Sequence, residues 1–212
     1  MAKLYIVPTP IGNLDDITIR AVRVLSEVDF ILAEDTRTSS VLLKHLGIEK
    51  KMYAHHKFNE HQTVESIVNR IKGGQTVALI SDAGTPAISD PGAKLVAAVR
   101  AAGLSVVPIP GACAAITALS ASGILEPHWR FYGFLPTKTQ ARQSALQDFC
   151  ETHDTVVFYE APHRVQECLA DFQTCFAPER EITIARELTK TFESITRLRL
   201  AEVTDWLAAD PY

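Results

Sequence analysis

The chain has 212 residues, 47% of them apolar and 22% charged, with a formal charge of -4 and an isoelectric point near 6.0. That make-up supports one large or two small folded domains and excludes a protein that grips nucleic acid by bulk positive charge. Pro8 stops the short apolar run at the start, too early for a signal segment or a membrane span, so a cytoplasmic location is expected. Cys113, Cys150, Cys168 and Cys175 include no C-x-x-C pair, which argues against a disulfide framework or a zinc ribbon.

In chain order, apolar runs at 4–7, 30–33, 76–80 and 105–108 predict buried strands, and helical patterns fill 18–28, 39–46, 62–72 and 91–102. Continuous apolar strands that alternate with helices predict a mostly parallel sheet covered on both faces. Gly73-Gly74 and Gly103 each close a helix just before a strand. A helix of small residues is expected over 112–122. Beyond it, strands at 131–134, 155–159, 182–185 and 193–198 surround helices at 139–152 and 163–175, with a short turn between the last two strands. This second half predicts a mixed sheet. The boundary falls near 110–120, giving an N-terminal α/β domain (1–112) and a C-terminal α/β domain (113–212).

Three loops after predicted strands stand out. Residues 7–18 (VPTPIGNLDDIT) carry two prolines that fix the path, Gly12 that permits close backbone approach, and Thr18 as a helix cap. Residues 81–92 (SDAGTPAISDPG) form a loop longer than a connection requires. It contains neither G-x-x-x-x-G-K-[ST] nor G-x-G-x-x-G, which disfavours a nucleoside triphosphate or a dinucleotide. Its end, Asp90-Pro91, has the form of a helix cap followed by a first-turn proline. Residues 108–115 (PIPGACAA) run through a Pro-Gly turn into small side chains that suit either a flat ligand or helix packing. Loops at the carboxyl ends of parallel strands are where open α/β sheets bind ligands; the plainer alternative for each is a strand-to-helix turn.

Basic residues gather as Lys50 with Lys51, Lys138 with Arg142, Arg186 with Lys190, and Arg197 with Arg199. Any RNA contact has to be local to such clusters, although charge runs are ordinarily solvated faces. His55, His56 and His61, with Asn59 and Glu60, have spacing that suits neither a zinc finger nor H-E-x-x-H, and no metal is expected.

Together the three loops resemble the cofactor loops of the tetrapyrrole-methylase superfamily, which binds folded S-adenosylmethionine in a cleft between two α/β domains. The segments AEDTR (33–37), FYEAPHR (158–164) and ARELTK (185–190) are similar to one branch, the ribosomal RNA small subunit methyltransferase I family. The resemblance spans about residues 4–206. It implies 2'-O-methylation of a cytidine in the decoding region of 16S ribosomal RNA, the small subunit as partner, a homodimer and no membrane. Cofactor contacts are implied for Pro10, Ile11, Gly84, Thr85, Ile88, Cys113, Ala114, Glu160, Ala161 and Leu188. The superfamily usually has an Asp where Thr85 stands, and Asp82 is expected to substitute. The same resemblance sets Glu34, Asp35 and Arg37 at the cleft. Glu34 or Asp35 is then the candidate general base, with Glu187 a third and Lys190 as electrostatic support; Asn13, Arg37, His163 and Arg164 become substrate contacts. Plainer roles compete here: Asp35 or Thr36 as a helix cap, and 163–164 as a solvated helix start. Two rival readings are a methyltransferase of the same fold acting on a tetrapyrrole precursor, and a non-catalytic cofactor-binding scaffold. The resemblance also leads to an expected further Lys-Gly-Glu strand and small basic helical region after the Trp206 helix.

Overall fold

The computed structural model describes residues 2–57 and 60–209; Asn59 and the side chain of His61 lie outside the described part. The chain divides into two compact units, Met1–Ala114 and Ala115–Tyr212.

In the first unit, β1 (Lys3–Ile6), β2 (Phe30–Ala33), β3 (Met52–Ala54), β4 (Val77–Ile80) and β5 (Ser105–Pro108) form one parallel sheet in the order β3-β2-β4-β1-β5. Its continuous apolar strands are explained by two hydrophobic cores, one per face. Leu4, Ile6, Phe30, Leu32, Val77 and Leu79 point to one face, and Ile31, Ala33, Ala78 and Ile80 point to the other, as the period of two requires. On the second face pack α1 (Ile19–Glu27) and α2 (Thr36–His45), through Val24, Leu25 and Leu43. On the first pack α3 (Glu60–Lys72) and α4 (Ala93–Ala101), through Ile67, Ile71, Leu95 and Val99.

This layout creates a switch point. β4 feeds α4 on one face, while its neighbours β1 and β2 feed α1 and α2 on the other, so the loops leaving their carboxyl ends diverge around β4. Open sheets receive ligands at such a place. The three-residue strand β3 is absent from the sequence reading. Tyr53 and Met52 are only half-buried, and β3 pairs with β2 alone, so no long apolar run marks it. A second difference concerns α4: its N-cap is Gly92, and Asp90-Pro91 remain in the loop instead of opening the helix.

The second unit contains α5 (Ala114–Ala121, its first residue on the boundary), β6 (Trp129–Phe134), α6 (Thr139–Gln147), β7 (Thr155–Tyr159), α7 (Val165–Cys175), β8 (Glu181–Arg186), β9 (Ser194–Arg199) and α8 (Val203–Ala209). Both pairing senses expected of a mixed sheet occur, divided between two ladders: β6 and β7 are parallel, β8 and β9 antiparallel. Phe172 of α7 belongs to the core against Leu169, Leu198 and Val203 and also to that against Leu135 and Leu146. Arg142 on α6 is 1% exposed and donates to Asp171 of α7 and to the Thr137 carbonyl (3.2 Å). This overturns its assignment to a basic surface cluster with Lys138. A guanidinium enters an interior only when a carboxylate meets it, and that partner lies 29 residues away.

Candidate functional site

The three loops of the first unit interlock. Thr9 N–H donates to the Gly84 carbonyl and Gly84 N–H to the Thr9 carbonyl, each at 3.0 Å, an isolated antiparallel bridge between the loops after β1 and β4. The buried Thr9 hydroxyl donates to the Ser81 carbonyl (3.0 Å), and the Ser81 hydroxyl donates to the Gly84 carbonyl (3.1 Å). Thr85 Oγ1 donates to the Ala112 carbonyl (2.9 Å), which joins the loop after β4 to the one after β5. Two glycines make the approach possible. A Cβ on Gly111 would lie 2.7 Å from Pro8 Cβ, and Gly84 holds φ +79°, a backbone that residues with a side chain rarely adopt. Ala87 carries φ 66° without being glycine, a conformation that costs about 1–2 kcal/mol and that persists at sites where the surroundings over-determine the backbone.

Of the expected cofactor contacts in this unit, Pro10 and Gly84 are buried, Ile11, Thr85, Cys113 and Ala114 half-buried, and Ile88 is 55% exposed. The surface they offer is small, apolar and uncharged. Asn13 accepts the Asp15 N–H (3.1 Å) and so caps its own 3-10 turn. Thr9 and Ser81, which fasten the loops, were not singled out from the sequence. The signal available was two small hydroxyl residues directly after apolar strands.

Adjacent carboxylates at the end of β2 have opposite fates. Asp35 is the N-cap of α2: it accepts the Arg37 N–H (2.8 Å) and a two-pronged guanidinium contact (3.1 and 2.7 Å). Those bonds hold its carboxyl down at about 2, so Asp35 is a weak proton acceptor. The capping alternative describes it better than the catalytic one, and Arg37 is paired to it. Glu34 differs. Burial, then the Asp90 and Asp82 carboxylates, push its carboxyl above the ordinary range. Asp90 is raised as well, chiefly by burial and also by Asp82, against a hydrogen bond from Ser81. Asp82 accepts the Asp35 N–H (3.1 Å), tying the ends of β2 and β4 together. Asp90 is the member of this group that its expected role as a helix cap concealed. Among the described residues no group of His, Cys, Asp and Glu is disposed to hold a metal ion.

In the second unit, Glu160 accepts the Ala161 N–H (2.8 Å) and lies 3.3 Å from Arg164 Nε. Arg164 also donates to the Leu135 and Pro136 carbonyls (3.0 and 3.2 Å). These contacts engage Arg164 within its own unit, whereas His163 beside it is exposed. Cys168 packs by Glu160, and burial foremost, with that carboxylate next, pushes its thiol up to about 12. The turn between β8 and β9 holds Glu187 at φ 52° and Thr189 at φ 66°, with half-buried Leu188 between them. Lys190 Nζ meets Glu187 Oε1 at 3.1 Å, and Glu193 accepts the Thr189 N–H. Glu187 and Lys190 therefore neutralise each other. Tyr159 Oη, at the end of β7, accepts the Ala115 N–H of α5 (3.2 Å).

Comparison with known proteins agrees with this architecture. Residues 3–204 match the family Tetrapyrrole (Corrin/Porphyrin) Methylases. A Pseudomonas aeruginosa protein named ribosomal RNA small subunit methyltransferase I is 54% identical over 98% of this chain and 73% of its own. A Pasteurella multocida protein of the same name is 52% identical over 98% of this chain and 74% of its own. Among solved structures, uroporphyrin-III-C-methyltransferase from Thermus thermophilus gives a TM-score of 0.67 at 19% identity, covering 100% of this chain and 91% of that one. The methyltransferase CobJ gives 0.69 at 18% identity, covering 95% and 88%; at such identities the likeness is one of fold. The parallel five-stranded unit, its interlocked loops and the matched sequences lead to one assignment: this chain belongs to the tetrapyrrole methylases and, within them, to the ribosomal RNA small subunit methyltransferase I family.

Proposed function

We propose that the chain transfers a methyl group from S-adenosylmethionine to the ribose 2'-hydroxyl of a cytidine in the decoding region of 16S ribosomal RNA. The observation that carries the reading is the mutual fastening of the three loops around small, uncharged surface, at a switch point where Glu34 waits with a raised carboxyl. The loops have no phosphate-cradling motif, which suits a donor with a neutral adenosine body, and Gly111 and Gly84 let the loops themselves pack closely against Pro8 and Ile11. S-adenosylmethionine would supply an activated methyl on a sulfonium; the protein's task is then alignment and proton removal.

In this reading Pro10, Ile11, Gly84, Thr85, Ile88, Cys113 and Ala114 bind the donor. Glu34 accepts the proton of the attacking hydroxyl, and its elevated carboxyl makes it a better acceptor than Asp35. Asp82 holds the ends of β2 and β4 in register for it. His163 and Asn13 are left as exposed polar groups for the RNA. Relatives at about half identity carry the ribosomal RNA name, which favours RNA over a tetrapyrrole precursor as acceptor. Assembly as a two-fold homodimer and a cytoplasmic location belong to the same proposal; among the described residues no helix is long and apolar enough to cross a membrane.

The test offers methyl-labelled donor with either unmethylated small subunits or a tetrapyrrole precursor. Label in the RNA alone supports the proposal. Label in the tetrapyrrole, or none with either acceptor, refutes it.

A further inference from the structure

We propose that Glu60 is a positioning residue for the donor loop 81–92: from the start of α3 its carboxylate clamps the loop's exit at Gly92. The inference rests on the functional reading above, which makes that loop a donor-binding element.

The loop is fastened at its entry by the Thr9–Gly84 bridge. At its exit the chain must turn into α4 through Gly92, at φ +130°, where a Cβ would lie 2.5 Å from Leu79 Cδ2. The position therefore excludes a side chain, and α4 has no side-chain cap of its own. Its buried first N–H would be an orphan donor. Glu60 Oε1, from 32 residues earlier in the chain, accepts it at 3.1 Å. Sequence places Asp90 where a cap belongs, yet Asp90 sits in the field of Asp82 and Glu34. Capping delegated to α3 leaves Asp90 in the site.

The Glu60 side chain is only 8% exposed, and a buried carboxylate requires compensation. Lys94 Nζ lies 3.5 Å from Oε2. His55, fully buried, presents Nε2 at 3.9 Å from Oε1, while its Nδ1 is 3.0 Å from Thr63 Oγ1. The clamp thus joins the end of β3, the start of α3 and the start of α4 to a single loop. Between its two anchors stand the left-handed Ala87 and the exposed Ile88. A strained segment keeps its shape only while its ends are fixed.

The test uses the full chain and three variants, Glu60→Ala, Glu60→Gln and Lys94→Met. Amide exchange is read without ligand, S-adenosylmethionine affinity by calorimetry, and kcat and KM on small subunits. In Glu60→Ala, amides 85–92 should exchange faster while those of β2 and β4 stay protected. Donor Kd and KM should rise about tenfold or more, the scale of a lost hydrogen bond to a charged group, with kcat at saturating donor nearly unchanged. Glu60→Gln, which keeps an oxygen for the Gly92 N–H, should restore most of the affinity, and Lys94→Met should shift it less than Glu60→Ala does. Unchanged exchange at 85–92, or loss of sheet protection together with kcat and no rescue by Gln, would overturn the clamp. If the unaltered protein fails to bind S-adenosylmethionine, the functional reading has failed, and the exchange data still decide whether Glu60 fixes the loop.

Discussion

Gly111→Ala tests the fastening of the loops with a single methyl group. Its backbone is not left-handed, so the effect is steric: the new Cβ would lie 2.7 Å from Pro8 Cβ and 3.0 Å from Pro8 Cγ. Carbon atoms in contact prefer about 3.5–4.0 Å, and the proline ring cannot rotate away. The loops after β1 and β5 must therefore separate by roughly 1 Å. Such overpacking costs about 1–3 kcal/mol, and in a protein of this size each kcal/mol lowers Tm by about 2–4 °C, so a fall of about 2–12 °C is expected. A misplacement near 1 Å also lowers turnover by up to about 100-fold, and donor affinity should weaken with it. Gly103→Ala is the control. Its φ is +71° with open space around the Cβ, so it should lose stability through backbone strain and leave donor affinity intact. Differential scanning fluorimetry and calorimetric titration read both quantities. If Gly111→Ala melts and binds like the unaltered protein, the loops are not fastened as described.

Glu34→Gln should reduce turnover severely with donor Kd nearly unchanged, whereas Asp35→Asn should act mainly on helix stability. Because the Glu34 carboxyl is raised, the acid limb of the kcat profile should lie above the ordinary glutamate value of 4.5, and a limb below it would argue for another base. Carboxyl NMR should find Asp35 titrating near 2. The stability it contributes is then present above the unfolded value of 3.8 and lost as pH falls from about 4 towards 2. Arg142→Ala, which strands Asp171 in the interior, should cost about 3–5 kcal/mol in denaturant unfolding, and Arg142→Met with Asp171→Leu should recover much of it; equal losses in both would mean that volume, not charge, matters there. Cys168, with its thiol near 12, should resist alkylation at pH 8 in the folded protein. Its raised value favours folding below the unfolded value of 9.0, and that contribution fades as pH rises from about 9 to 12.

The alternation of strand and helix was legible because the central strands β2 and β4 are buried on both faces, leaving the runs Phe30–Ala33 and Val77–Ile80 uninterrupted by polar residues. β3 was not, because three half-exposed edge residues leave no such run. The loops were legible from their proline and glycine content, which reflects close backbone approach. What stayed hidden depends on partners distant in sequence. Asp35 and Glu34 are chemically near-equivalent neighbours, and only the start of α2 decides that Asp35 is the one that caps. Arg142 reads as surface charge until α6 packs on α7 and Asp171 meets it. Asp90 reads as a cap until Gly92 and Glu60 take that task. The cluster of Lys138 with Arg142 was over-read for the same reason, since Arg142 serves the interior of the second unit.

The most direct test of the central claim is mass-spectrometric mapping of small-subunit RNA after incubation of unmethylated subunits with the protein and isotope-labelled S-adenosylmethionine. One labelled methyl is expected, on the 2'-oxygen of a cytidine in the decoding region, lost in Glu34→Gln and retained in Asp35→Asn. Label on a base, label on a different nucleotide, or undiminished 2'-O-methylation by Glu34→Gln would contradict that claim.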